Sequence, residues 1–400
     1  MSRGNNKFTV ETMIMRPCNT LVLFGLLIIS TLAACGEHDP EKTEVFAIEI
    51  KELSNYDRLT SENDLLLGVP VRLKTDHDTQ HIFAQDMAHW TVIEMDEQSN
   101  EIRRYGSRGR GPGELQGLDD FFISAEHLFI VDGSRFLIHK YSRNDGQFIS
   151  SLNYRELLVE GNKGSEQGIP QTPPAPLTSN NNRPFVTYNE VVLLPAHTGG
   201  EYLYRAVTWE GEKVAHIGEI PDGYIEFIDD EQIRQSLKNN RVPAHELALA
   251  FPVNDLTNPN EIFVVYSAIS KIAKYTFEGE KIWEQTIPLT PEVDSLMIDL
   301  DNALLNRPNQ RVSLLPVKKY MAGRSSPNGD VYLFTYTNMD TPHTPRRPMW
   351  VHQFDSEGTL MYRYKINSDT DLFYYPGIDF KNRRLYTPAF NESDIRIYPF

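Results

Sequence analysis

Apolar and polar residues alternate along most of this chain in short runs that come in pairs. A period of two is typical of β-strands with one buried face, and a polar turn between paired runs predicts a β-hairpin. Each predicted turn contains Gly or Asn, which adopt the positive φ of tight turns at low cost. The pattern predicts five hairpins, over residues 92–105, 137–152, 204–217, 272–283 and 350–364, with turns at Asn100, Gly146, Gly211, Gly279 and Gly358.

A further β-rich run precedes four of these hairpins, at residues 128–132, 191–194, 262–266 and 331–334. A strand followed by a hairpin is most of a four-stranded antiparallel blade. The turns recur after 46 residues between Asn100 and Gly146 and after 79 residues between Gly279 and Gly358. This spacing favours a propeller in which the longer blades carry insertions.

The end of the sequence repeats only part of this unit. Residues 385–388 and 395–400 predict a strand and the first arm of a hairpin, without a second arm. We predict that Val45–Ile50 supplies the missing strand by pairing with Ile395–Tyr398, because a closed ring leaves no exposed sheet edge. The sequence therefore predicts an all-β fold, a six-bladed β-propeller over residues 44–400 with an N-terminal strand closing the last blade.

Three segments interrupt the β pattern. Asp230–Phe251 and Pro291–Leu305 have helical patterns, and Thr290 is placed to cap the second of them. Gly161–Arg183 is rich in Pro, Gly, Ser and Asn, which predicts a loop.

The amino end predicts a cleaved leader. Leu21–Leu32 is an apolar run that suits the core of a secretory signal and is too short to span a bilayer. The sequence Leu32-Ala33-Ala34-Cys35 follows it and resembles the lipobox of bacterial lipoproteins. The resemblance implies that residues 1–34 form a signal peptide starting at Met1, Met13 or Met15, and that Cys35 is acylated and anchors the protein to membrane lipid. The other cysteine, Cys18, lies in this leader, so the mature chain is expected to have no internal disulfide.

Residues 35–43 are predicted to be the acylated cysteine and a flexible tether. The tether is polar and mostly acidic, which is similar to the export signal of surface lipoproteins in the Bacteroidota and equally compatible with a plain solvated linker. We therefore expect an outer membrane lipoprotein, on the periplasmic side or at the cell surface. The formal net charge of −16 argues against nucleic acid as a partner.

One segment has a distinctive motif. Tyr105–Leu115 resembles the G-x-x-G-x-G-P-G-E-F segment between blades of NHL-like and TolB-like six-bladed propellers, in particular the propeller lipoproteins of the Bacteroidota, with Leu115 in place of Phe. A Gly-rich loop can also bind phosphate, but this one leads into Asp119-Asp120 rather than a helix. We expect a tight crossing between blades in which Glu114 binds backbone amides. Its structural residues are Gly106, Gly109, Gly111, Pro112, Gly113 and Glu114.

Residues suited to catalysis or metal binding are few. His77 and His81 have the spacing of a zinc-binding helix, but the polar run around them favours a loop. Asp119-Asp120 and Asn254-Asp255 carry oxygens suited to a structural calcium ion, or lie in solvated loops. Arg346-Arg347 would suit an anionic ligand. The sequence identifies no cofactor, and it contains neither a G-x-S-x-G elbow nor a cysteine nucleophile in the mature chain.

These features favour a lipid-anchored binding or scaffold module of the cell envelope, with a glycan or an envelope protein as its partner. The alternative is a propeller hydrolase, metal-dependent and lactonase-like or glycosidase-like, with its site at the central channel. Such enzymes use a metal cage of Glu, Asn and Asp, or three arginines, contributed by several blades. Because these residues are dispersed along a sequence, both functions stay open, with binding favoured. The sequence does not indicate the ligand or the oligomeric state.

Overall fold

The computed structural model describes residues 48–59, 67–160, 183–195, 201–225, 228–295, 317–335, 348–368, 375–389 and 392–400. The predicted signal peptide, Cys35, the tether and the Arg346-Arg347 pair lie outside these residues.

The chain forms a six-bladed β-propeller, as the sequence predicts, and each blade is built on a four-stranded antiparallel sheet. Two short strands, β1 (Ile50–Leu53) and β2 (Asp57–Leu59), precede the first blade. The first half of the ring contains β3 (Pro70–Thr75), β4 (Ile82–Asp86), β5 (Thr91–Met95) and β6 (Glu101–Tyr105) in blade one, the parallel pair β7 (Ser107–Arg108) and β8 (Glu114–Leu115), then β9 (Asp120–Ile123), β10 (His127–Asp132), β11 (Leu137–Ser142) and β12 (Phe148–Asn153) in blade two, and β13 (Phe185–Val186), β14 (Val192–Pro195), β15 (Tyr202–Val207) and β16 (Lys213–Glu219) in blade three.

The second half of the ring continues the same order. It contains β17 (Ala250–Asn254), β18 (Glu261–Tyr266), β19 (Lys271–Thr276) and β20 (Lys281–Thr286) in blade four, β21 (Ala322–Ser325), β22 (Val331–Thr335), β23 (Met349–Phe354) and β24 (Leu360–Ile366) in blade five, and β25 (Gly377–Asp379), β26 (Arg384–Ala389) and β27 (Asp394–Pro399) in blade six. In every blade the first of these strands is the inner one, so β3, β9, β13, β17, β21 and β25 surround the central channel.

All five predicted hairpins are present as the two outer strands of blades one to five. In each, the strand register shifts by one residue just before the turn, a bulge that brings an extra residue into the turn. Gly146 and Gly358 hold positive φ values of 76° and 87°, which a side chain would disfavour. In the first hairpin Ser99, rather than the predicted Asn100, takes this conformation, at φ 70°.

The predicted pairing of Val45–Ile50 with Ile395–Tyr398 is wrong. The outer strand of blade six is β2, whose residues Asp57–Leu59 pair antiparallel with Ile397–Ile395 of β27. Ile50 belongs instead to β1, which pairs in parallel with β24 and extends blade five to five strands. Leu59 is the reason for the difference, because it is buried in a cluster with Tyr386 and Ile395, whereas Ile50 is 45% exposed.

Buried aromatic side chains join neighbouring blades. Between blades three and four, Tyr204 donates a hydrogen bond to the Ala250 carbonyl at 2.9 Å, and Tyr266 donates to the Glu219 carbonyl at 2.8 Å. Both rings are buried in one apolar cluster. Each tyrosine therefore removes a large apolar surface from water and also fixes the backbone of the adjacent blade.

In the described ranges, helices occupy only short connections: α1 (Tyr154–Glu160), α2 (Asp230–Lys238), a 3₁₀ turn at Ala244–Glu246 and a helical turn at 291–295. The helix predicted over Asp230–Phe251 is therefore too long. It ends early because Asn240 takes a φ of 52° and Pro243 follows, and the chain returns to a strand at Ala250. The second predicted helix starts at 291 as expected, and residues 296–305 lie outside the described part. No helix in the described ranges is both long and apolar enough to cross a membrane.

Candidate functional site

The inner strands enclose a cavity of about 190 Å³ in the central channel. Its lining includes at least one residue from the inner strand of each blade: Arg72, Asp120, Phe185, Phe251, Gly323 and Ile378. Because six separate strands contribute to the wall, side chains far apart in sequence meet in this cavity. It is the place at which a propeller of this size assembles a binding site.

Four basic side chains line the cavity: Arg72, Lys74, Arg183 and Arg324. Arg72 and Lys74 are two residues apart on β3 and therefore lie on the same side of that strand. Arg324 on β21 donates a hydrogen bond to the Leu73 carbonyl at 3.1 Å, which brings blade five against blade one. Arg183, just before β13, donates to the Asp119 carbonyl at 2.7 Å. The four cations thus come from the inner strands of blades one and five and the approach to blade three.

Asp120 is the carboxylate at the centre of this cluster. Its Oδ1 lies 2.7 Å from Arg72 Nη1 and 3.1 Å from Lys74 Nζ. Burial alone would raise the pKa of the Asp120 carboxyl, but Arg72 and Lys74 hold it at about 2. Asp120 is therefore ionised at neutral pH and balances one of the four cations.

Lys74 is a cation of this cluster whose pKa is lowered into the neutral range. Burial, helped by the nearby Arg324 and Arg72, lowers the pKa of Lys74 to about 7 despite the attraction of Asp120. Its ammonium group also lies 4.0 Å from the centre of the Phe122 ring. Near neutral pH, Lys74 is consequently divided between its charged and neutral forms, and an added negative charge would favour the charged form.

The lining carries an excess of positive charge. Among the described lining residues, with Lys74 protonated, four cations face two carboxylates, Asp76 and Asp120. Outside the lining, Arg143 pairs with Asp76, and Asp119 lies 3.9 Å from Arg183. Arg72 is only 4% exposed, and its buried Nε has no hydrogen-bond partner among the described residues. Buried cations that exceed their counter-ions favour an anionic ligand, because such a ligand supplies the missing charge and hydrogen-bond acceptors.

The other part of the wall is aromatic and apolar. Phe122 and Phe185 meet edge to face with ring centres 4.8 Å apart, and Phe251 and Val253 from β17 continue this surface. On the cationic side, the Tyr375 ring lies 3.9 Å from the Arg72 guanidinium and covers it. A ligand in the cavity would therefore meet charged groups and aromatic rings next to each other. This arrangement suits an organic anion better than a bare inorganic one.

The predicted interblade motif lies away from the cavity lining, between blades one and two. Gly111 donates its backbone N–H to Glu114 Oε2 at 2.6 Å, and Gly109 donates to the Leu115 carbonyl at 3.0 Å. A Cβ at Gly109 would overlap the Glu114 carboxylate, so a larger residue there would have to displace that carboxylate from the Gly111 N–H. Tyr141 donates to the Gly113 carbonyl at 2.6 Å and ties the segment to blade two. The carboxylate thus takes the place that a bound anion would need, and the segment acts as a connection.

His77 and His81 do not form the helical pair that their spacing suggested, since they lie in and just after the turn between β3 and β4. His81 Nδ1 is 2.7 Å from Glu94 Oε1, whereas His77 lies beside Asp76 and Asp78. In this Asp76-His77-Asp78 group, Asp76 is bound by Arg143 and Asp78 accepts a hydrogen bond from Tyr188. The carboxylates that could hold a metal ion there are therefore engaged by protein donors.

The two acidic pairs considered for calcium also bind protein cations. Asp120 pairs with Arg72 and Lys74, and Asp255 Oδ2 lies 2.8 Å from Lys274 Nζ.

None of the four cations that line the cavity was predicted from the sequence as a site residue. Alternation on β3 could have placed Arg72 and Lys74 on one side of a strand, but the partners of that strand come from later blades. Arg183 stood at the end of the predicted loop.

No protein-family model and no curated protein matches the sequence. Similar solved structures include a Bacteroides fragilis protein named as exported, with 10% identity over 88% of this chain and 99% of that chain and a TM-score of 0.48. A DUF4221 family member from Bacteroides vulgatus has 10% identity over 86% and 98% of the two chains and a TM-score of 0.49. A gluconolactonase from Xanthomonas campestris has 11% identity over 86% and 89% and a TM-score of 0.44. Identities and scores this low assign neither a family nor a function to this chain.

Proposed function

We propose that this protein is a lipid-anchored binding protein of the outer membrane, on the periplasmic side or at the cell surface, whose central channel captures the acidic sugar residue of a glycan. The observation that carries the proposal is the convergence of Arg72, Lys74, Arg183 and Arg324 on one cavity, in which the half-buried Asp120 pairs with only the first two. Their excess charge fits a carboxylate, and a guanidinium is suited to bind one through two hydrogen bonds.

The aromatic side of the cavity supports a sugar acid. A pyranose ring has an apolar face of C–H groups, which stacks on aromatic rings, and Phe122, Phe185 and Phe251 line the same cavity as the cations. The cavity of about 190 Å³ is smaller than a typical small-molecule pocket of about 300–1,000 Å³. It therefore suits one sugar residue rather than a longer segment.

Three arginines from different parts of the ring are also what a glycosidase-like propeller would use to hold an acidic substrate. Hydrolysis additionally needs a carboxyl pair or a metal cage. Among the described lining residues the carboxylates are Asp76 and Asp120, and both are ion-paired with arginine. These contacts favour capture of the ligand over its cleavage.

The test is calorimetric titration of the full chain, purified in detergent, with glucuronic acid and with glucose at pH 7. We expect glucuronic acid to bind and glucose not to bind. Arg324→Gln should weaken the binding about tenfold, the effect of losing one charge-assisted hydrogen bond. Arg104→Gln is the matched control, because Arg104 pairs with Glu101 on the surface. This variant should bind the ligand as the unmodified protein does.

The pH dependence gives a second readout. Because the pKa of Lys74 is about 7, its charge is lost as pH rises from 6 to 8, and affinity for glucuronic acid should fall over that range. Lys74→Gln should remove most of this dependence. Equal binding of glucose, or full affinity in both Arg324→Gln and Lys74→Gln, would refute the proposal. Release of free glucuronic acid from a glucuronyl oligosaccharide would show an enzyme instead.

A further inference from the structure

A second, larger concavity adjoins the channel. It is a groove of about 550 Å³ between blades five and six. Thr75, Asp76, His77, Ile378 and Phe380 line both the groove and the channel cavity, so the two are continuous. From this shared mouth the groove runs outward to Tyr362 on β24 and to Lys51 on β1, the outermost strand of blade five. A ligand held in the channel would therefore leave it along this groove.

Half-buried aromatic side chains are distributed along the groove. Phe380 stands near the mouth, with its ring centre 5.2 Å from that of the buried Tyr332. Phe400 packs edge to face on Tyr364 at 5.6 Å, and Tyr362 is held by Lys51, whose Nζ lies 3.6 Å from the ring centre. These contacts fix the rings in place without a ligand, so little conformational entropy would be lost on binding.

The charges of the groove differ from those of the channel. Among the described side chains that line it, three are cations, Lys51, Lys381 and Arg383, and three are carboxylates, Asp76, Asp330 and Asp379. The formal charges of these side chains cancel, apart from His77. These carboxylates accept hydrogen bonds from other protein groups. Asp330, for example, accepts one from Gln353 Nε2 at 2.8 Å. Rings combined with balanced polar groups are suited to uncharged sugars, which present apolar faces and hydroxyls.

We propose that the groove binds neutral sugar units joined to the acidic residue held in the channel. The ligand is then an oligosaccharide with an acid at one end and a neutral body, which deepens the proposed function and rests on it. The channel supplies charge recognition, and the groove supplies length and selectivity for the neutral units.

The experiment titrates the full chain in detergent with three probes: glucuronic acid, xylobiose, and the trisaccharide in which glucuronic acid is linked to the end of xylobiose. The trisaccharide should bind about tenfold more tightly than glucuronic acid, the gain expected from one good ring stacking. Xylobiose alone should bind too weakly to detect. Tyr362→Ala, a change in the groove only, should abolish the tenfold gain and leave the affinity for glucuronic acid unchanged.

The control is Tyr202→Ala, the same change at an exposed tyrosine of blade three, which should bind all probes as the unmodified protein does. If the trisaccharide binds no more tightly than glucuronic acid, or if Tyr362→Ala keeps the full gain, the groove proposal is wrong and the channel proposal stands. If neither acidic probe binds, both proposals are wrong. An approximately tenfold weaker binding of the trisaccharide in Arg324→Gln, together with loss of the gain in Tyr362→Ala, would establish the two-part site.

Discussion

Glu246 is a buried acid that accepts one backbone hydrogen bond and has His245 Nε2 3.6 Å from its Oε1, and it makes the stability of the fold depend on pH. Its Oε2 accepts the Val317 N–H at 2.6 Å, and the residue is 1% exposed. Burial raises the pKa of Glu246 to about 7, and the Val317 hydrogen bond and the nearby Lys318 only partly oppose this. The folded protein thus keeps a proton that the unfolded chain releases near pH 4.5.

The sign of the effect follows from this raised pKa. The contribution of Glu246 is most favourable below about pH 4.5 and is lost as pH rises through about 7. Glu246→Gln keeps the acceptor for Val317 and resembles the protonated acid. We expect the variant to gain stability over the unmodified protein as pH rises from 4.5 to 8, by roughly 2 to 3 kcal/mol.

Urea denaturation of both proteins at several pH values measures this difference, and other titrating groups cancel in the comparison. The surface substitution Glu278→Gln should give no comparable gain, since Glu278 is exposed in a turn. A difference in stability that stays constant with pH would show that Glu246 is ionised throughout.

At the scale of the element, β2 is only three residues long, yet it forms the outer edge of blade six. Leu59 is 3% exposed and packs with Tyr386 and Ile395, whereas Arg58 beside it has a side chain that is 47% exposed. Leu59→Ala should destabilise the protein by about 2 to 4 kcal/mol, the cost of a cavity in a packed core.

Arg58→Ala provides the comparison within the same strand and should cost less than about 1 kcal/mol, as exposed ion pairs contribute little. Chemical denaturation of the two variants gives both values. Equal, small losses would mean that β2 does not hold blade six in solution.

The elements differ in how far sequence predicts them. The five hairpins are local, since each couples a short-range turn to an alternating pattern, and all five are correct. The closing strand pairs residues at opposite ends of the chain. Val45–Ile50 had the stronger β pattern, but burial of Leu59 decided the pairing. The cationic cluster is a harder case, because Lys74 and Asp120 meet across 46 residues of sequence and neither carries a local signal of the other.

At the scale of the whole molecule, the anchor predicted at Cys35 determines where the binding face can work. Cys35→Ser removes the thiol that would be acylated, and the variant should move from the membrane fraction to the soluble fraction. Fractionation with immunoblotting measures this, and mass spectrometry of the mature amino-terminal peptide should show the acyl groups on the unmodified protein. Ser54→Ala, a change beyond the tether, should stay with the membrane. Retention of Cys35→Ser in the membrane would contradict the lipoprotein assignment.

The order of β1 and β2 along the chain has a mechanical consequence. A pull from the amino-terminal side reaches the parallel pair of β1 and β24 before it reaches β2. The pairing of Ile50–Leu53 with Arg363–Ile366 must therefore rupture first, while the sheet of blade six keeps its full set of strands. If the chain is anchored as predicted, β1 would be the first strand to detach under tension, and the six blades of the ring would keep their four-stranded sheets.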